Sequence, residues 1–180
     1  MLGISILTAV SCSMPETKIY SLHMPADAGK AAARKQAMIT VRVQSPRYLA
    51  QPYVAHRLSA YQLDISRYAK WDSAPAEMVK EVFRDSLAAV YQDVRASNFT
   101  SEGSYVLSVN LKRFERADES YAELMLDAVL SSSEGKELQR FEVQKKVQIE
   151  TKDPAGLAKG LSSALSESVK EVVAGVNSRI

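Results

Sequence analysis

Hydrophobic and polar residues alternate along several stretches of the chain and recur every three or four residues along two others. Ile39, Val41 and Val43 alternate with Thr40, Arg42 and Gln44. That period of two predicts a half-buried strand over Ala37–Gln44, which Pro46 stops. Lys18–His23 is a shorter strand candidate, and Ala26–Lys35, small and charged, reads as a loop or a weak helical turn. Further strands are expected at Tyr53–Leu58 and Ser59–Ile65, with Ser66–Trp71 less regular. Ser104–Phe114, Tyr121–Leu130 and Leu138–Ile149 return to period two. The polar segments Glu115–Glu119 and Ser131–Lys136 between them read as turns, so the three strands make an antiparallel meander. Glu123 and Asp127 mark the polar face of its middle strand and read as solvated.

Two segments carry helical spacing. Asp72-Ser73-Ala74-Pro75 offers polar capping residues and then a proline whose missing N–H is harmless in a first turn. Met78, Val79, Val82, Phe83, Leu87, Val90, Tyr91 and Val94 then predict an amphipathic helix ending near Ser97. Asp153-Pro154 opens a second helix striped by Leu157, Leu161, Leu165, Val169, Val172, Val173 and Val176. Ala158, Gly160 and Ala164 would let it approach a sheet closely. This order of elements predicts an α/β (α+β) fold: a mixed, largely antiparallel sheet with two long helices packed on it, sandwich-like.

Composition removes several classes of function. At 180 residues with 46% apolar side chains, the chain can bury one sizeable core without metal or disulfide. A formal charge of +2, from 23 basic and 21 acidic residues, argues against nucleic acid as a partner. One cysteine permits no internal disulfide, and with only two histidines a protein-only zinc site is not expected. No phosphate-binding or nucleophile-elbow motif is present. His23 and His56 have no partner at a useful spacing and read as ordinary surface or partly packed side chains. The expectation is a protein that is not an enzyme and carries no cofactor.

The N-terminus adds chemistry. Residues 1–12 are apolar, free of charge and end on the only cysteine, too short to span a bilayer but matching the apolar part of a secretory signal. Ala9-Val10-Ser11-Cys12 resembles a bacterial lipobox, with Ala9 where the pattern prefers leucine. No positive charge precedes Leu2, so the translation start is expected upstream of Met1. The same residues also suit an ordinary N-terminal element with a buried free cysteine. The domain reading is a signal remnant over 1–12 and one domain over 13–180.

Ser45–Trp71 gathers Tyr48, Tyr53, Tyr61, Tyr68 and Trp71, five of the thirteen aromatic residues, among Arg47, Arg57 and Arg67. Aromatic and arginine residues are enriched at binding surfaces. Tyr48, Tyr53, Tyr68 and Trp71 are the candidate partner interface; packing over the sheet is the competing explanation.

Tyr20-Ser21-Leu22, Ile39-Thr40-Val41, Pro46-Arg47-Tyr48-Leu49, Tyr53-Val54 and Arg67-Tyr68-Ala69-Lys70-Trp71, in that order, resemble the ABC-type transport auxiliary lipoprotein family and its PqiC-like branch. The likeness extends through the Tyr105–Phe114 strand, ending on Phe114-Glu115, to the last helix. Arg57 stands for the family's arginine, with His56 beside it in place of the commoner residue, and the acidic or proline-rich stretch after the tryptophan shrinks to Asp72–Pro75. The resemblance implies a lipoprotein held by acyl chains such as palmitate on Cys12, on the periplasmic side of a Gram-negative outer membrane. It implies an auxiliary role beside an ABC transporter whose periplasmic partner carries a mammalian-cell-entry (MCE) domain, in lipid transport and envelope integrity. Ser13, not aspartate, follows the cysteine and favours outer-membrane sorting by analogy. A homo-oligomer is left open. The alternatives are an assembly lipoprotein of another outer-membrane machine, or a periplasmic hydrolase with an unrecognised site.

Overall fold

The computed structural model describes residues 15–24, 34–99 and 101–180. Cys12, its lipobox and most of the Ala26–Lys35 segment lie outside the described residues. The strands are β1 (Lys18–Tyr20), β2 (Lys35–Gln44), β3 (Tyr53–Arg57), β4 (Leu63–Trp71), β5 (Tyr91–Ala96), β6 (Tyr105–Ala117), β7 (Tyr121–Ser131) and β8 (Glu137–Gln148). The helices are α1 (Pro75–Ala88) and α2 (Pro154–Asn177), and one 3₁₀ turn covers Arg47–Ala50.

All eight strands form one mixed sheet organised by β6. Along one edge β6 pairs with β7 over nearly its whole length, and β7 with β8, as the expected antiparallel meander. Its other edge is shared. The first half pairs in parallel with β2, which carries β5 outside it. The last two residues pair in parallel with β3, followed by β4 and β1. The 3₁₀ turn lies between β2 and β3 and lets the chain leave β6 and return to it further along.

Both helices cover one face. α2 packs on β6, β7 and β8, and α1 packs on β2, β5 and α2. The core between them holds Ile39, Val41, Leu107, Val109, Leu111, Leu124, Leu126 and Leu130 from the sheet, with Phe83, Leu87, Leu161, Leu165 and Val172 from the helices. Asp153 caps α2 as expected, its carboxylate accepting from the Gly156 N–H at 2.7 Å. Gly160 lets α2 lie close on β7, since a Cβ there would stand 2.8 Å from the Ala122 methyl.

Four local expectations change. The residue capping α1 is Ala74, which offers no side-chain bond, so Pro75 alone marks the start. That helix stops at Ala88 and not near Ser97, because Tyr91–Ala96 pairs as a strand with β2. Residues 59–62 form a turn, and the strand placed at Ser59–Ile65 begins only at Leu63. β6 runs on to Ala117, through residues read as a turn.

Candidate functional site

The aromatic segment divides between surface and core. Tyr53 and Tyr68 are exposed on β3 and β4, and Tyr61 projects from the turn between them. Trp71 corrects the interface expectation: it is 2% exposed, inside the core, and meets Phe114 edge-on with ring centroids 5.6 Å apart. β4 turns this ring inward because Trp71 follows Ala69 in the buried phase of the strand. Tyr48 lies half-buried in the 3₁₀ turn, its hydroxyl pointing into a polar cluster.

That cluster sits on the face of the sheet opposite the helices. A bulge in β6 between Leu111 and Arg113 shifts its alternation by one residue. Leu111 and Phe114 therefore both face the core, while Glu115 turns to the other side. There Glu115 is fully buried nonetheless. Arg57 donates from Nε to Glu115 Oε1 and from Nη2 to Oε2, the latter at 3.2 Å. Tyr48 donates its hydroxyl to Oε2 at 2.8 Å. Burial, reinforced by the Glu115 charge, pushes the Tyr48 phenol well above its ordinary pKa.

Glu123, directly opposite Glu115 in the β6–β7 register, continues the cluster. It is buried as well, which corrects its reading as part of a solvated face. Arg113 Nη1 donates to its Oε2 at 2.9 Å and Gln144 Nε2 to its Oε1 at 3.0 Å, while Arg113 Nε stands 4.0 Å from Glu115 Oε1. Asp127 keeps an ion pair with Lys112 nearer the surface. Each buried carboxylate is thus held by cationic, hydroxyl or amide donors on neighbouring elements, an arrangement that suits structural locking. Sequence periodicity missed Glu115. Its signal was the phase slip from Leu111 to Phe114, which only a bulge reconciles with a continuous strand.

The histidines lie apart. His56 faces Arg116 and Asp64 in adjacent strands, and its Nε2 is buried with no hydrogen-bond partner among the described residues. Burial and the Arg116 charge lower its pKa. His23 borders a groove of about 530 Å³ between β1 and α2, with Tyr20, Ala158, Ser162 and Glu167 in its lining. Ser162 is already engaged there, donating to the Ala158 carbonyl and accepting from the His23 backbone N–H. Among the described residues there is no cluster of candidate metal ligands, and no helix is long and apolar enough to cross a membrane.

The sequence model of a family described as the ABC-type transport auxiliary lipoprotein component matches residues 20–173. No curated protein matches the sequence. A crystal structure of a Xanthomonas campestris protein of the DUF330 family has a TM-score of 0.76 at 19% identity, covering 89% of this chain and 94% of that one. The structure of an uncharacterised protein has a TM-score of 0.69 at 14% identity, covering 89% of this chain and 99% of that one. At these identities the likeness is one of fold.

Proposed function

The chain belongs to the ABC-type transport auxiliary lipoprotein family, and from that premise we propose that it is the lipid-anchored periplasmic component of an MCE-type transport system. In this reading it docks the periplasmic MCE protein at the outer membrane for lipid transfer between membranes. The observation that carries the proposal is the extent of the family match, which runs from the end of β1 through most of α2.

The diacylglyceryl thioether on Cys12 and an amide-linked third chain supply the anchor. Each buried methylene contributes about 0.8 kcal/mol, so several chains hold the domain durably. Exposed Tyr53 and Tyr68 are the contact residues for the partner, since both keep an aromatic body and a polar tip at the surface. The role is recognition, with no reaction carried by the chain itself.

The test is purification of the full chain from native envelopes in mild detergent. The proposal expects an MCE-domain protein and its ABC permease to accompany it. Intact mass should show residues 1–11 removed and Cys12 lipidated. Recovery of the chain without any MCE protein defeats the docking role, and an unmodified Cys12 thiol defeats the anchor.

A further inference from the structure

We infer that the turn joining β3 to β4, with Leu58 and Tyr61 at its surface, is a second membrane contact that enters the interfacial layer of the bilayer holding the Cys12 lipid. The inference rests on the anchored-lipoprotein reading above.

The strand directions send the chain that leads back from Lys18 toward the end of the molecule where the tip lies. β1 runs parallel to β4, with Lys18 opposite Ala69. The chain therefore enters β1 from the side on which β4 begins at Leu63, and that is where the 58–62 turn projects. Six residue-to-residue steps lead from Cys12 to Lys18, and six lead from Leu63 to Ala69. At about 3.3 Å per extended residue, either length spans at most about 20 Å. Cys12 can therefore lie level with the turn, and the irregularity in β4 opposite Tyr53–Ala55 shortens the distance to be covered.

The turn is built to leave water. Leu58 N–H and Ser59 N–H both donate to the Gln62 carbonyl, at 3.0 and 3.3 Å, and Gln62 N–H returns to the Ser59 carbonyl at 3.4 Å. Tyr61 N–H donates to Ser59 Oγ at 3.2 Å. These four amides need no water, so the tip can enter a less polar layer without stranding them. Tyr61 is 100% exposed and Leu58 is exposed beside it. A tyrosine offers an apolar ring and a polar hydroxyl, the combination favoured at headgroup depth. In the neighbouring β6–β7 turn, Asp118 is paired with Lys146 at 2.7 Å and Glu119 with Lys152 at 3.5 Å, which lowers repulsion from anionic lipid.

Phe99 provides the internal control. It is 84% exposed and precedes the start of β6, whereas the tip lies beside the end of that strand. The thirteen residues of β6 place the two about 40 Å apart. One membrane plane therefore meets Tyr61 and leaves Phe99 in water.

The experiment uses the full lipidated protein in vesicles of phosphatidylethanolamine with a minority of phosphatidylglycerol. Tyr61→Cys or Phe99→Cys carries a polarity-sensitive fluorophore, attached through the sole free thiol because the Cys12 sulfur is alkylated. At position 61 the emission should shift to the blue and be lost when the acyl chains are brominated. At position 99 neither change should occur. If both positions report water in protein that floats with the vesicles and shows a lipidated mass, the tip contact is overturned and the anchor stands. If the protein takes a second label at a free Cys12 thiol, the anchor reading fails and this inference with it.

Discussion

Arg57 grips the fully buried carboxylate of Glu115 with both Nε and Nη2, and so ties β3 to β6 where their backbone ladder is only two residues long. Tyr48 adds the 3₁₀ turn to the same carboxylate. A side-chain clamp thus supplements strand pairing at the point where the sheet divides.

Breaking that clamp from one side should be expensive. Arg57→Ala removes the bidentate partner of buried Glu115 and leaves it only Arg113 at 4.0 Å, a change expected to lose about 3 kcal/mol. Tyr48→Phe removes one bond to a charged acceptor and should lose about 1.5 kcal/mol. Replacing the pair together, Arg57→Met with Glu115→Leu, should recover most of the first loss. Urea unfolding of the four proteins checks the order.

Gly160→Ala should destabilise although alanine is the better helix former. The added Cβ would meet the Ala122 methyl at 2.8 Å and Ile149 Cγ2 at 3.0 Å. Neither neighbour is a flexible side-chain end, so α2 must lift from the sheet. Overpacking of about 1–3 kcal/mol exceeds the propensity gain of about 1 kcal/mol. Thermal unfolding should show a lower Tm.

The aromatic residues should separate into two classes. Trp71→Ala opens a cavity beside Phe114 and should lose about 3–5 kcal/mol. Tyr53→Ala and Tyr68→Ala remove exposed rings and should change stability by less than about 0.5 kcal/mol. If these two form the partner surface, recovery of the MCE protein should fall in both variants while their unfolding midpoints hold. Unchanged recovery in the double variant assigns docking to another face.

His56 gives stability a pH dependence of defined sign. Burial and Arg116 lower its pKa from the ordinary 6.5, while Glu119, Asp64 and Glu115 oppose the shift. Above about pH 6.5 the imidazole is neutral in both folded and unfolded chains, and its contribution is complete. As pH falls below that value the unfolded chain binds the proton first, and the contribution is lost through the folded pKa. His56→Gln should flatten the stability profile on the acid side of about pH 6.5, read as the urea midpoint against pH.

The chain's own pattern was enough for the meander, for both helix starts and for the close approach at Gly160, because alternation, proline position and residue size act locally. The Asp153 cap is equally local. The end of α1 was not legible: Leu87, Val90, Tyr91 and Val94 fit helical spacing, and only the distant β2 recruits Tyr91–Ala96 as a strand. An Asp93–Arg95 ion pair at 2.9 Å, two residues apart, belongs to that strand geometry.

The site followed the same division. Residue type and order marked Tyr48, Arg57 and the aromatic segment, and a resemblance carried by short motifs pointed to the family. Which of those side chains reach the surface was decided by the fold. Trp71 is inside because β4 turns it toward Phe114, and Glu115 is buried because the bulge in β6 changes its phase and Arg57 arrives from β3. Burial of a charge depends on partners brought together from distant parts of the chain. Local periodicity carries no record of those partners, so tertiary structure alone settles where such a residue lies.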